Sequence, residues 1–335
     1  MGELSISLAK GQDDKFIPYN IGNYLLTRPM TSNKSGFSKW GFCTKGGKEY
    51  FIKEFLNPVY PLDSIKLEPD VRQRKIDQCV EWFNAKKNIY FSIAASQAGN
   101  LVPPLELFRY DSHFYLVTDK VSETPMDTHE LSSIDMDNKF ILMKVLANSF
   151  TKLAENHVVH ADVKLDNLMI KQTNGCFFTI KVIDFDASYL EDDPPVGEEI
   201  QGDFVYLAPE TFLAMIEEPA VLTSKVDVFA MGIVFHQLLC GELPGFDDEY
   251  DYVYEAVLND AELRISENIP EEFRALIADM LRKEPADRFS MKQVLSALKS
   301  IEASKRASDQ KSVHAAPVAV IPDKDSRWIT SDDFD

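Results

Sequence analysis

The feature that most restricts how this chain can fold is a pair of polar motifs on either side of a short apolar stretch. The first is His160-Ala-Asp-Val-Lys-Leu-Asp-Asn167, and the second, seventeen residues after Asn167, is Val182-Ile-Asp184-Phe-Asp186. Between them, Asn167-Leu-Met-Ile, the turn Thr173-Asn174-Gly175 and Phe177-Phe-Thr-Ile-Lys-Val-Ile predict a hairpin near 168–184.

An aspartate five residues before an asparagine lets one loop do two jobs. Asp162 can orient a hydroxyl and accept its proton, while Asn167 can offer a neutral oxygen to Mg²⁺. Lys164 can steady a phosphoryl group in transfer. Asp184, at the end of an apolar strand, is suited to hold Mg²⁺ against phosphates. Upstream, Phe51-Ile-Lys53 puts a lysine on a strand. Phosphoryl transfer asks a protein mainly for positioning and electrostatic stabilisation, and these are the parts such a site needs.

The rest of the pattern divides the chain. Residues 21–55 alternate and are rich in β-formers, with turn residues at Thr31–Gly36 and Gly46-Gly47, which predicts a strand meander. A helix is predicted from about Val71 to Ala95, with Ile76, Cys79, Val80, Phe83 and Ile89 near one face. Strands follow around Leu105–Tyr110 and His113–Thr118, and from Asp135 the period is that of helices. Gly241 reads as the C-terminal cap of a helix that starts near Ser224, and Ser290-Met-Lys-Gln293 reads as a capping box. A small β-rich half before a larger helical half is an α+β, two-lobed arrangement.

With these parts in order, the sequence resembles the eukaryotic-type protein kinases from about residue 20 to 300. His160-Ala-Asp162 with Asn167 is similar to the family's catalytic loop, Asp184-Phe-Asp186 to its D-F-G, Lys53 to its strand lysine and Ala208-Pro-Glu210 to its A-P-E. Asp227 resembles the helix aspartate that supports the catalytic loop, and Arg288 the arginine that pairs with Glu210. The resemblance implies a bilobal kinase-like fold: a 1–19 extension, an N-lobe and hinge at 20–121, a C-lobe at 122–303 and a mobile tail at 304–335. It implies Mg²⁺ and ATP, with Asp162, Lys164 and Lys53 as catalytic residues and Asn167 and Asp184 as metal ligands. Nucleotide-binding positions would be Lys53, Ser35, Gly36, Ser38, Phe51, Thr118, Asp119, Val121 and Met169, with Thr118 as gatekeeper. Glu81 is the candidate for the helix glutamate that pairs with Lys53, and Glu68 is its rival. Lys164, two residues after Asp162, is the serine/threonine pattern.

Four departures from the family stand out. Thr31-Ser-Asn-Lys-Ser-Gly-Phe-Ser-Lys-Trp40 is a poor glycine-rich loop. Phe51 stands where the family has alanine over adenine; a phenyl ring there can fill the pocket, turn aside or stack. Asp186 replaces the glycine of D-F-G, removing backbone freedom and adding an acid. Ala161 replaces the arginine that reads activation-loop phosphorylation, which favours activity without that modification. A serine/threonine kinase is therefore expected, with a scaffold that keeps the fold but not the chemistry as the alternative. A third possibility keeps the fold and changes the reaction.

Charge narrows the partners. The formal net charge is −19, which repels nucleic acid and anionic membranes. No Lys, Arg or His lies between Lys181 and Lys225, while Glu191, Asp192, Asp193, Glu198, Glu199 and Asp203 do. Asp247-Asp-Glu-Tyr-Asp251 and Asp166 add to this, so a protein substrate with basic flanking residues is expected. The N-terminus carries no signal-peptide pattern, and the four cysteines form no CxxC pair, which together suggest a cytoplasmic protein. The acidic end with Trp328, Ile329 and Phe334 suits docking to a partner or to the chain itself.

Overall fold

The β-forming first third pairs into one antiparallel sheet. In the computed structural model, which describes residues 16–33, 38–96, 98–121, 124–126, 128–173 and 177–314, the first strands are β1 (Tyr19–Ile21), β2 (Tyr24–Leu26), β3 (Ser38–Lys45) and β4 (Lys48–Phe55). Helix α1 (Pro69–Ala95) comes next, then β5 (Glu106–Tyr110) and β6 (His113–Asp119). The sheet order is β1-β2-β3-β4-β6-β5. Lys53 of β4 lies opposite Trp40 on β3 and Leu116 on β6. Strand alternation then sorts the side chains. Tyr50 and Ile52 join Ile21, Tyr24, Leu26, Tyr115 and Val117 in a small core on one face. Phe51, Lys53 and Phe55 take the other.

Helix α1 packs on that second face. Pro69 opens it, where a missing N–H costs nothing. The Trp82 ring lies 5.0 Å from Phe55 and 5.1 Å from Phe114, and Phe83 lies 5.8 Å from Phe114. Cys79, Ile89, Tyr90 and Ile93 are buried with them. The inward stripe is therefore Cys79, Phe83, Lys86, Tyr90 and Ile93, at helical spacing. Val80, expected inside, is 49 % exposed. Glu81 lies on the outer face and is exposed, and Glu68 is the exposed N-cap residue.

The helical portion begins after β7 (Thr124–Pro125) and α2 (Thr128–Ser133) with α3 (Met136–Glu155), capped by Asp135, whose carboxylate accepts from the Asn138 amide. Strand β8 (Val158–Val159), the hairpin β9 (Leu168–Gln172) and β10 (Phe178–Val182), and β11 (Tyr189–Leu190) carry the polar loops between them. Then come α4 (Pro209–Met215), α5 (Lys225–Cys240), α6 (Val253–Leu258), α7 (Glu271–Met280) and α8 (Met291–His314). Helix α5 is apolar all round and is buried from Val226 to Leu239, as a central helix must be. Gly241 ends it in left-handed geometry at φ 84°. At the start of α8, Gln293 accepts from the amide and hydroxyl of Ser290, and the Ser290 hydroxyl accepts from the Gln293 amide.

The result is a β-rich N-lobe against a helical C-lobe, the α+β two-lobed arrangement that the sequence predicts. Helix α8 runs past residue 303 to His314. The expected start of the tail thus falls inside a helix, and Trp328, Ile329 and Phe334 lie outside the described residues. Among the described residues no helix is long and apolar enough to cross a membrane.

Candidate active site

The loop from His160 to Asn167 is held from below by α5. Asp227 accepts from the amides of His160 at 2.8 Å and Ala161 at 2.9 Å. Ala161 adopts φ 66°, a left-handed turn that these two bonds support. Burial pushes the Asp227 carboxyl up to about 7, against the pull of the two amides. The fully buried His160 ring packs between Phe150 and Phe185, 5.7 and 4.8 Å away. The Asp162 amide donates to its Nδ1, and Nε2 lies 3.3 Å from the Ile183 carbonyl. That pattern suits the neutral Nε2–H form, which burial favours by lowering the ring's basicity.

Asp162 Oδ2 accepts from Asn167 Nδ2 at 2.8 Å and pairs with Lys164 at 3.0 Å. Its other oxygen, Oδ1, is buried with no hydrogen-bond partner among the described residues. Asn167 spends its amide nitrogen on Asp162, leaving its Oδ1 as a metal-type donor. Lys164 also reaches Asp203, at 3.5 Å. Burial opposes the charge on Lys164, and Asp162 with Asp203 more than offset it, so the amine is raised above its usual range.

The hairpin brings the second motif back to the first: the Ile183 amide donates to the Asn167 carbonyl at 3.0 Å. Phe185 is buried against His160, and Asp184 sits at φ 61°. Across from it, Lys53 Nζ lies 2.9 Å from Asp184 Oδ1 and 2.8 Å from Asp186 Oδ2. Burial works against the Lys53 charge, and the two acids outweigh it. Asp184 is held below the ordinary carboxylate range, Lys53 prevailing over burial, whereas burial and the neighbouring Asp184 charge raise Asp186.

The fold thus joins Lys53 to Asp184 and Asp162 to Lys164 and Asn167, and the Ile183–Asn167 backbone bond holds the two groups side by side. Met169 sits on β9 opposite Lys181, and Thr118 lies opposite Phe51 in the sheet register. Asp119 ends β6, its side chain paired with Lys48, and Val121 follows. Ser38 is buried at the start of β3, while Ser35 and Gly36 lie outside the described residues. Glu81 is a correction. It sits on the outer face of α1 with no bond to Lys53, because the helix is rotated to bury Trp82 and Phe83. Its place is taken by Lys86, which donates to the Asp186 carbonyl, and by Tyr90.

Other members of the site were not picked out from the sequence. The Trp40 ring stacks on Phe51 at 5.8 Å and 24°, and Phe42 packs edge-on against both. Strand alternation, which sets Trp40 and Phe42 on the Lys53 face, was the signal. Asp203 appeared only as one acid among many, and nothing local marked it as a partner of Lys164.

Among the described residues no group of three His, Cys, Asp or Glu is arranged to hold a metal. Asn167 Oδ1 and the Asp184 carboxylate nevertheless fit Mg²⁺, which commonly takes one or two protein oxygens and completes its shell with phosphates and water.

The protein kinase domain profile matches residues 70–298. Protein kinase kin1 of Schizosaccharomyces pombe is 25 % identical over 82 % of this chain and 30 % of its own length. A probable serine/threonine-protein kinase KIN1 homolog of Encephalitozoon cuniculi is 26 % identical over 58 % of this chain and 33 % of its own length. A probable myosin light chain kinase of Dictyostelium discoideum is 27 % identical over 58 % of this chain and 64 % of its own length. The matched segments thus span about a third of the first two relatives.

Proposed function

This chain belongs to the protein kinase family, and from that premise we propose that it transfers the γ-phosphate of Mg·ATP to serine or threonine hydroxyls of protein substrates. The observation that carries the reading is Asp162 Oδ1, a buried acceptor without a partner beside Lys164 and Asn167. A buried carboxylate oxygen left open is costly unless a donor arrives, and a substrate hydroxyl is such a donor.

In this reading Asp162 orients the hydroxyl and takes its proton as the new O–P bond forms and the bridging O–P bond to ADP, the leaving group, breaks. Lys164, held by Asp162 and Asp203, faces the charge on the transferred group. Lys53 neutralises phosphate oxygens, and Asn167 and Asp184 would hold Mg²⁺. The metal, when bound, screens the charge that opposes transfer. The segment after Asp186 is tied down without a phosphate: β11 pairs with β8, Ser188 donates to the His160 carbonyl at 3.1 Å, and Glu191 accepts from the Ser224 amide at 2.6 Å. That supports activity independent of activation-segment phosphorylation. Asp192, Asp193, Glu198 and Glu199 are exposed there and support a substrate with basic flanks. The free thiols of Cys43 and Cys79 are buried, which fits a reducing compartment such as the cytoplasm.

The test is incubation with labelled Mg·ATP and a generic basic protein. Wild type should label it, and Asp162→Ala should not, while keeping its nucleotide-induced thermal shift. A peptide library preferring acidic flanks would overturn the substrate class. The Trp40–Phe51 stack motivates one other reading, a scaffold that no longer takes nucleotide. Under it Mg·ATP would leave the melting temperature unchanged.

A further inference from the structure

Lys53 and Lys86, with Asp184 and Asp186, form one cluster between β4, α1 and the hairpin. Lys53 contacts both acids, at 2.9 and 2.8 Å. The ammonium end of Lys86 lies in the interior and donates to the main-chain carbonyl of Asp186. Asp186 therefore faces two lysines, one through its side chain and one through its backbone. The inner face of α1 offers no acid here. It presents Lys86 and Tyr90, with Glu81 outside and Glu68 exposed at the helix start.

Asp184 has competing demands. If it turns to a metal, Lys53 loses one of its two carboxylate contacts and keeps the one to Asp186. Asp186 is the acid that remains. Its Oδ1 is buried with no partner among the described residues, so its carboxylate is not spent on a structural bond elsewhere. Adding an acid at position 186 without a further cation would leave excess negative charge beside Asp184. Lys86 supplies that cation from the position where a helix acid would otherwise point inward.

We propose that Asp186 is the positioning acid for Lys53, acting from the metal-binding loop in place of a helix acid, and that Lys86 balances its charge and ties α1 to that loop. The acid and the cation have in effect exchanged elements. The inference rests on the kinase reading for its kinetic consequence, but the pairing itself can be read without turnover.

The decisive experiment is the reverse exchange. Asp186→Asn keeps the shape and removes the charge; it should lower kcat/KM for Mg·ATP on the order of 10- to 100-fold, as expected for loss of a charge-assisted contact in a shielded site. Lys86→Glu alone adds a third acid and should lose at least as much. Lys86→Glu combined with Asp186→Gly restores an acid on the helix and a glycine in the loop, and should recover activity to within about tenfold of wild type. Glu81→Gln should change nothing. Full activity in Asp186→Asn with loss in Glu81→Gln would overturn the proposal and return the role to Glu81. No rescue in the double exchange would also count against it.

If wild type transfers no phosphate, the kinase reading fails and urea unfolding carries the test. In the cycle of Lys53→Met, Asp186→Asn and the pair, coupled loss supports the contact, and additive loss overturns it.

Discussion

Trp40 and Phe51, diagonal neighbours on β3 and β4, stack with their ring centroids 5.8 Å apart and their planes 24° from parallel. The pair covers part of the sheet face that also carries Lys53, the face that meets the nucleotide under the proposed function.

Under the proposed function, Phe51→Ala should tighten Mg·ATP binding several-fold while costing roughly 0.8–1.5 kcal/mol of stability, half the value of a full aromatic burial. Calorimetric titration alongside urea unfolding separates the two effects. Weaker binding in the variant would instead mean that the ring supports the base by stacking.

Arg288 and Glu210 form a buried bidentate pair at 2.6 and 3.0 Å. Arg288 also donates to the carbonyls of Arg282, Lys225 and Lys283. Removing one partner strands the other charge. Glu210→Gln should destabilise the chain by about 3–5 kcal/mol, visible in chemical denaturation, whether or not turnover is measured.

Gly232 in α5 faces Leu281 and Met280. A Cβ there would lie 2.9 Å from Leu281 Cδ2 and 3.1 Å from Met280 Cβ, too close without movement. Gly232→Ala gains helix propensity but overpacks the core, and a net loss of about 1–3 kcal/mol is expected. Gly99, with no atom within 4 Å of a built Cβ, is the control that should tolerate alanine.

Asp227 gives a pH signature. Its carboxyl holds a proton up to about 7 in the folded chain, against 3.8 for the free group. The folded state thus binds the extra proton between these values. The stability it contributes is full below the lower value and is lost as pH rises through the higher one. Nearby groups are His160, which burial keeps neutral, and Glu191, which adds to the upward push. In melting curves, the difference between wild type and Asp227→Asn should shift against wild type from pH 5 to pH 8. A constant gap would mean that the two amide bonds keep the group ionised throughout.

Much of the site was legible because it depends on local spacing. The acid and asparagine of the catalytic loop share one short segment, and a hairpin that the turn residues announce returns Asp184 to Asn167. The Gly241 cap and the Ser290 capping box needed only neighbouring residues as well. The partner of Lys53 did not. The acids near α1 suggested Glu81 or Glu68, but burying Trp82 and Phe83 against Phe55 and Phe114 turns Glu81 outward and brings Lys86 inward, and Glu68 stays exposed at the helix start.

The amino-acid order alone determined which elements form and which loops carry the reactive groups, since hydrophobic period, turns and caps act over a few residues. Only the tertiary structure decided that Asp186 takes Lys53, that Asp203 reaches Lys164 and that Trp40 covers Phe51. Those pairings depend on how far a helix is turned about its axis and which strands share a face. Both are set by how the large side chains of distant segments fill a common interior, and no short stretch of sequence records that.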